Sequence, residues 1–103
     1  MLYDSENGNC KIALTGDSML TRKLSTFSEE RYQALVNLMR GADACFTNLE
    51  STVRAWDEGS PAISRMGRGT FMTTEPSLME EMKWMGINLL SCANNHSFEY
   101  GEE

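Results

Sequence analysis

TEPSLMEEMKWMGINLLSCANNH, residues 74–96, is the stretch that decides the fold. Thr74 or Glu75 is predicted to cap a helix with a proline in its first turn, where proline is favoured. Gly86 is predicted to end that helix. The apolar residues of the helix recur at the i, i+4 and i+7 spacing of one helix face, and they are Leu78, Met82 and Met85. Residues 87–93 (INLLSCA) follow as an apolar run typical of a strand, so the stretch indicates a helix that leads into a strand.

The same order of elements occurs upstream. Residues 11–15 (KIALT) predict a strand, which Gly16-Asp17 is expected to end in a turn. Ser28 is expected to cap a helix that Gly41 ends. The apolar stripe of this helix consists of Tyr32, Leu35, Val36 and Met39. Residues 44–47 (ACFT) predict the next strand. Because helical crossovers join parallel strands, this βαβαβ order indicates an α/β fold with a parallel sheet.

Composition excludes several classes of protein. The 103 residues suffice for one domain, and nine Lys and Arg against 15 Asp and Glu leave no basic face for nucleic acid. Three cysteines without a CxxC motif argue against a disulfide framework, and Cys45 and Cys92 are expected to be buried in apolar runs. Neither a signal peptide nor a transmembrane segment is recognisable, so the chain as it stands is expected to be cytoplasmic, with residues 1–9 flexible.

Polar residues follow each of the three predicted strands at once. They form the clusters Gly16-Asp17, Asn48-Leu49-Glu50 and Asn94-Asn95-His96. Because the carboxyl ends of parallel strands meet at one edge of a sheet, where ligands bind, we expect these clusters to converge. Asn48 and Glu50 are expected to point to the same side of an extended strand, with Leu49 pointing away. Carboxylate and amide oxygens with one imidazole suit Mn²⁺, Mg²⁺, Fe or Zn²⁺, and such metals act in phosphoesterases.

Each cluster also has an ordinary structural explanation. Asp17 could close a turn, Asn94-Asn95 could form a left-handed turn, and a lone histidine is more often a surface or core residue than a catalyst. Residues 51–70 are predicted to form a long loop. Three arginines on that loop could meet a polyanion or simply be solvated: Arg54, Arg65 and Arg68. Gly16 stands alone, which argues against the glycine-rich phosphate loop of a flavodoxin-like domain.

The motifs together resemble those of the CapA, or PGA-cap, family. Gly16-Asp17-Ser18-Met19-Leu20, Asn48-Leu49-Glu50 and Ala93-Asn94-Asn95-His96 occur in the family's order and spacing over residues 11–101. That family resembles the calcineurin-like metallophosphoesterases, which have a β-sandwich flanked by helices and a dinuclear metal site. The resemblance implies that Asp17, Glu50 and Asn95 are metal ligands and that His96 is a phosphate-facing acid. Asn48 and Asn94 are implied to be neighbours of the ligands. The family usually has Asp where this chain has Glu99, so no role is assigned to Glu99.

The resemblance also carries expectations about the whole protein. Family domains continue beyond the equivalent of Glu103, so residues 1–103 are expected to form one partial domain, the βαβαβ half of the sandwich. The missing histidines would come from a further segment, a partner chain or a second copy. The implied function is capsule or poly-γ-glutamate biosynthesis with a divalent metal, foremost Mn²⁺, and a phosphorylated or polyanionic substrate. The implied activity is phosphoester hydrolysis, and the alternative is a non-catalytic binding or assembly module.

Overall fold

A computed structural model describes residues 8–58 and 71–100 of the chain. The elements in chain order are β1 (Ile12–Ser18), α1 (Glu30–Arg40), β2 (Ala44–Leu49), β3 (Thr52–Val53), β4 (Thr73–Thr74), a 3₁₀ turn (Pro76–Leu78), α2 (Met79–Trp84) and β5 (Leu89–Ser91). Most of the N-terminal segment that we expected to be flexible lies outside the described residues, as do Arg65 and Arg68. None of the helices in the described ranges has the length and apolar character needed to span a bilayer.

The main sheet has three strands in the order β1-β2-β5, and both of its pairings are parallel. This confirms the predicted α/β class and the parallel sheet. A second, two-stranded sheet pairs β3 with β4, again in parallel. It was not predicted: β3 lies within the expected loop, and a two-residue strand leaves no alternating pattern to recognise.

Strand β1 is longer than expected and contains an irregularity. Its register with β2 runs from Leu14 opposite Phe46 directly to Asp17 opposite Asn48, so β1 uses one residue more than β2 over that interval. The predicted turn at Gly16-Asp17 is therefore wrong, because the strand continues through both residues to Ser18. An extra residue in one strand turns the following side chains to the opposite face of the sheet.

The hydrophobic core lies between one face of the main sheet and the two helices. It consists of Leu20, Val36, Met39, Cys45, Leu49, Met82, Met85 and Ile87. Four of these residues belong to the predicted helix stripes, and one of the four, Met85, follows directly after α2. Cys45 is buried as predicted, whereas Cys92 is exposed. The prediction for Cys92 is wrong because the edge strand β5 ends at Ser91. Cys92 belongs to the predicted apolar run but lies beyond the end of the strand.

Both helix starts differ in detail from the sequence patterns. Helix α1 begins at Glu30 with Glu29 as its N-cap, so the expected cap at Ser28 is wrong. Of the two alternatives for the second helix, Glu75 is the N-cap of the 3₁₀ turn that leads into α2, and Thr74 lies buried in β4. Helix α2 itself has Leu78 as its N-cap. Gly86 ends this helix region as predicted, with a φ of 93° that favours glycine. A Cβ at Gly86 would lie 2.9 Å from the Cα of Arg40, so the glycine permits close approach of the two helix ends.

The face of the main sheet opposite the helices is largely open among the described residues. Ile12 is 63% exposed, Leu14 is 74% exposed and Leu89 is 51% exposed. Leu14 and Leu89 both lie in register with Phe46, so these apolar side chains form one surface across the three strands. We call the surface formed by Ile12, Leu14, Phe46 and Leu89 the open sheet face.

Candidate functional site

The irregularity in β1 brings Asp17 beside the end of β2. The buried Thr47 hydroxyl donates to the Gly16 carbonyl at 2.8 Å and contacts the Ser18 hydroxyl, so a side chain of β2 bonds β1 at the irregularity. Asp17 consequently lies opposite Asn48, and the Asn48 Nδ2 donates to the Asp17 Oδ1 at 2.9 Å. The first and second predicted clusters therefore meet.

The end of β2 carries Asn48 and Glu50 on one side. Leu49 between them is buried, and the Asn48 Nδ2 also donates to the Glu50 Oε2. This geometry confirms the expected alternation of the three side chains. A single amide nitrogen thus joins the carboxylates of Asp17 and Glu50, which draws two like charges to one point.

Asn94 attaches the third cluster to the second. Its Nδ2 donates to the Leu49 carbonyl at 2.7 Å and to the Asn48 Oδ1 at 3.1 Å. Its Oδ1 accepts the backbone N–H of His96 at 2.9 Å, which is the local pattern of an Asx turn. No described residue other than glycine has a positive φ, so the left-handed turn considered for Asn94-Asn95 is wrong.

His96 lies in a partly buried position between two carboxylates. Its Nε2 is 3.7 Å from the Glu50 Oε1, and its Nδ1 makes a hydrogen-bonding contact with the Glu99 Oε1. The side chains of His96, Glu50 and Glu99 are 15%, 13% and 12% exposed. The Thr52 hydroxyl donates to the His96 carbonyl at 3.1 Å, so the short strand β3 also supports this turn.

Glu99 belongs to the site, although no role was predicted for it. Besides contacting His96, its Oε2 accepts the backbone N–H of Met72 at 2.6 Å. The i, i+3 spacing of His96 and Glu99 is a signal for such a contact in a helical turn, but the same spacing is common on solvated surfaces. Only the burial of the pair distinguishes the two situations.

Asn95 is the one predicted site residue outside this network. It is exposed, and among the described residues its side chain makes no hydrogen bond to the other candidates. The residues that the structure brings together are Asp17, Asn48, Glu50, Asn94 and His96. The assignment of Asn95 as a ligand stays a prediction.

The chemical types of these side chains fit an oxygen-preferring divalent cation, but their number is small. Two carboxylates, amide oxygens and one imidazole are suitable ligands. Within residues 8–58 and 71–100, no group of three or more His, Cys, Asp or Glu side chains is placed to hold a metal ion.

These features define an α/β protein with a carboxylate, amide and histidine cluster at the C-terminal edge of a parallel sheet. The family model described as bacterial capsule synthesis protein PGA_cap matches residues 11–103. The chain belongs to this family, as the sequence motifs indicated.

Two curated relatives from Sinorhizobium fredii (strain NBRC 101917 / NGR234) are similar to the chain. They are the uncharacterized proteins y4sH and y4uA, each 32% identical over 91 residues. The matched region covers 85% of this chain and 19% of each relative. The chain therefore spans about a fifth of the length of these relatives.

Proposed function

We propose that the chain contributes a divalent-metal site to a capsule synthesis protein that acts on a phosphorylated or polyanionic substrate. The observation that carries this proposal is the convergence of the Asp17 and Glu50 carboxylates on the amide nitrogen of Asn48. Two carboxylates drawn together repel each other, and a bound cation would relieve that repulsion more strongly than a neutral amide.

Mn²⁺ is the cation we propose first, with Mg²⁺, Fe and Zn²⁺ as alternatives, because the donors are oxygens with one imidazole. A bound divalent metal polarises a phosphoryl oxygen and lowers the pKa of a bound water. Asp17 and Glu50 would provide negative charge to hold the cation, and Asn95 would provide an amide oxygen. Asn94 would keep the turn that bears Asn95 and His96 attached to β2.

His96 is proposed to exchange a proton with the phosphoester. Its backbone is fixed by Asn94 and Thr52, and its Nε2 faces the same side chains that converge at the strand ends. A histidine in this position can protonate a leaving oxygen or stabilise charge on the phosphoryl group. The proposed reaction is phosphoester hydrolysis during assembly of poly-γ-glutamate or another capsule polymer.

The open sheet face supports the proposal that this chain is one half of a β-sandwich. Two packed sheets bury alternate residues of both, and Ile12 and Leu14 are alternate residues left exposed. The curated relatives are about five times longer than the matched region. We propose that a further segment, a partner chain or a second copy covers this face and completes the metal site.

A hydrolysis assay tests this proposal. The chain, within a protein or an assembly that completes the metal site, is incubated with Mn²⁺ and a chromogenic phosphodiester. His96→Ala is assayed beside it, together with the matched variant Asn88→Ala, whose side-chain oxygen accepts the Cys45 N–H before β5. We expect metal-dependent turnover that His96→Ala lowers by about 10²-fold or more and that Asn88→Ala retains. Turnover that is unchanged in His96→Ala would contradict the assignment of His96.

A non-catalytic binding or assembly module is the second candidate. The observations in its favour are that Asn48 already gives each carboxylate a hydrogen bond, and that no group of three or more His, Cys, Asp or Glu side chains among the described residues is placed to hold a metal. This candidate predicts that the chain binds a metal or a polyanion without turnover in the same assay. Metal-dependent turnover that is lost in His96→Ala would exclude it.

A further inference from the structure

Glu99 is bound on both of its carboxylate oxygens. One oxygen contacts the His96 Nδ1, and the other accepts the Met72 N–H at 2.6 Å. We propose that Glu99 is a positioning residue that holds the His96 ring in the tautomer with a protonated Nδ1 and leaves Nε2 for the substrate. This inference rests on the role proposed above for His96.

The hydrogen-bonding capacity of the Glu99 carboxylate and the His96 imidazole determines which ring nitrogen carries the proton. An ionised carboxylate only accepts hydrogen bonds, so the Nδ1 that contacts Glu99 must carry the hydrogen. A neutral imidazole carries one ring hydrogen, so Nε2 then presents its lone pair. Nε2 lies 3.7 Å from the Glu50 Oε1, which is longer than a hydrogen bond, so Glu50 does not engage that lone pair.

The burial of the Glu99–His96 pair distinguishes it from an ion pair on the surface. Glu80 and Lys83 also stand at i, i+3, but their side chains are 73% and 70% exposed, whereas those of Glu99 and His96 are 12% and 15% exposed. Glu99 is in turn anchored to the backbone at Met72, immediately before β4. A contact that is shielded from water and anchored at both ends can select one tautomer and one ring orientation.

Nitrogen-15 NMR of the histidine ring tests the inference. The chain contains a single histidine, so a long-range proton–nitrogen correlation spectrum reports His96 alone. In alkaline buffer we expect the Nδ1-protonated tautomer in the metal-free chain. In Glu99→Gln the side chain has one acceptor oxygen for two N–H donors, so we expect the separation between the ring nitrogen shifts to shrink or reverse.

Glu75→Gln is the matched control. The Glu75 Oε1 also accepts a backbone N–H, that of Trp56 at 2.9 Å, beside the same two-stranded sheet. Its substitution is expected to leave the ring shifts of His96 unchanged. Backbone amide spectra of both variants establish that they are folded, and if Glu99→Gln does not fold, the wild-type spectrum still decides.

An Nε2-protonated tautomer in the wild type would overturn the inference, and so would an unchanged spectrum in Glu99→Gln. Because the measurement uses neither metal nor substrate, it is independent of the hydrolysis assay. The expected spectra without any turnover would leave the positioning role intact and remove the proposed reaction. Turnover that depends on His96, accompanied by an unchanged spectrum in Glu99→Gln, would remove the positioning role alone.

Discussion

Asn48 joins the three strand ends through one side-chain amide. Its nitrogen donates to Asp17 and Glu50, and its oxygen accepts from Asn94. The alternation of Asn48, Leu49 and Glu50 could be predicted, because a strand has a period of two residues. The position of Asp17 could not be predicted, because it depends on the hydrogen bond from the Thr47 hydroxyl to the Gly16 carbonyl. No sequence pattern indicates such a bond.

Thr47→Val is a direct test of that hydroxyl. Valine has nearly the same shape, so the change removes only the hydrogen bonds to Gly16 and Ser18 at a fully buried position. We expect the free energy of unfolding to fall by about 1 to 3 kcal/mol, because the Gly16 carbonyl loses a partner. Urea unfolding measures the difference.

Thr26→Val is the control for this substitution. The Thr26 hydroxyl donates to the Lys23 carbonyl at 3.0 Å, but the residue is exposed and water can replace the bond. Its effect on stability is expected to be within about 0.5 kcal/mol. Equal effects of the two substitutions would show that the Thr47 hydroxyl does not support the irregularity in β1.

Helix α2 is connected to the segment after β1 by Glu81. The Glu81 Oε2 accepts the N–H groups of Leu24 and Ser25 at 2.9 and 2.7 Å, and the Oε1 accepts the Ser25 hydroxyl at 3.1 Å. The Ser25 N–H, followed by the Ser25 hydroxyl, holds the pKa of this carboxyl below its ordinary value. The contact fixes the path from the strand that bears Asp17 to the helix before β5.

Glu81→Gln should therefore weaken the fold in a pH-dependent way. A lowered pKa in the folded chain means that the ionised carboxylate stabilises it above the unfolded-state pKa. That contribution is lost as the pH falls through the lower, folded-state pKa. We expect the wild type to have the higher urea midpoint at neutral pH and the two midpoints to approach each other in acid. A difference that is constant with pH would contradict this role of Glu81.

The main elements could be predicted from periodicity, while their ends and the smallest strands could not. Two helices and three parallel strands are present as the apolar spacing predicted, and Val36, Met39, Met82 and Met85 of the helix stripes are buried. The prediction for Leu35 is wrong, because it is 49% exposed. The expected cap at Ser28 failed because α1 begins one residue later, at Glu30, without any side-chain cap. The burial of Cys92 failed because the apolar run continues beyond the end of an edge strand.

The molecule as described has one covered and one open sheet face. Helices cover the side of Cys45 and Leu49, while Ile12 and Leu14 lie exposed on the other side. The site lies at the strand ends bordering the open sheet face, since Asn48 follows Phe46 by two residues in β2 and Asp17 pairs with Asn48 after the irregularity in β1. A second layer packed there would also border the site.

Self-association of the chain is the expected consequence of the open sheet face. Leu14→Gln removes an apolar side chain that is 74% exposed, and we expect it to weaken the association. Burial of a leucine contributes about 1.5 to 3 kcal/mol, which is roughly tenfold or more in the association constant. Sedimentation velocity over a concentration series measures this change.

Trp56→Gln is the control for surface hydrophobicity in general. Trp56 is 73% exposed and lies outside the strands of the main sheet. Its substitution is expected to leave the association unchanged. A chain that is monomeric at every concentration, or an equal effect of the two substitutions, would show that the open sheet face is not an association surface.

Calorimetric titration of Mn²⁺ into the chain tests the proposed metal site most directly. Asp17→Ala is titrated beside the wild type, and Asp43→Asn is the matched control, because Asp43 accepts the Lys11 N–H at the other end of β1. We predict binding to the wild type and to Asp43→Asn that weakens at least about tenfold, or about 1.4 kcal/mol, in Asp17→Ala. Equal affinity in Asp17→Ala, or no binding to the wild type, would contradict a metal site at these strand ends.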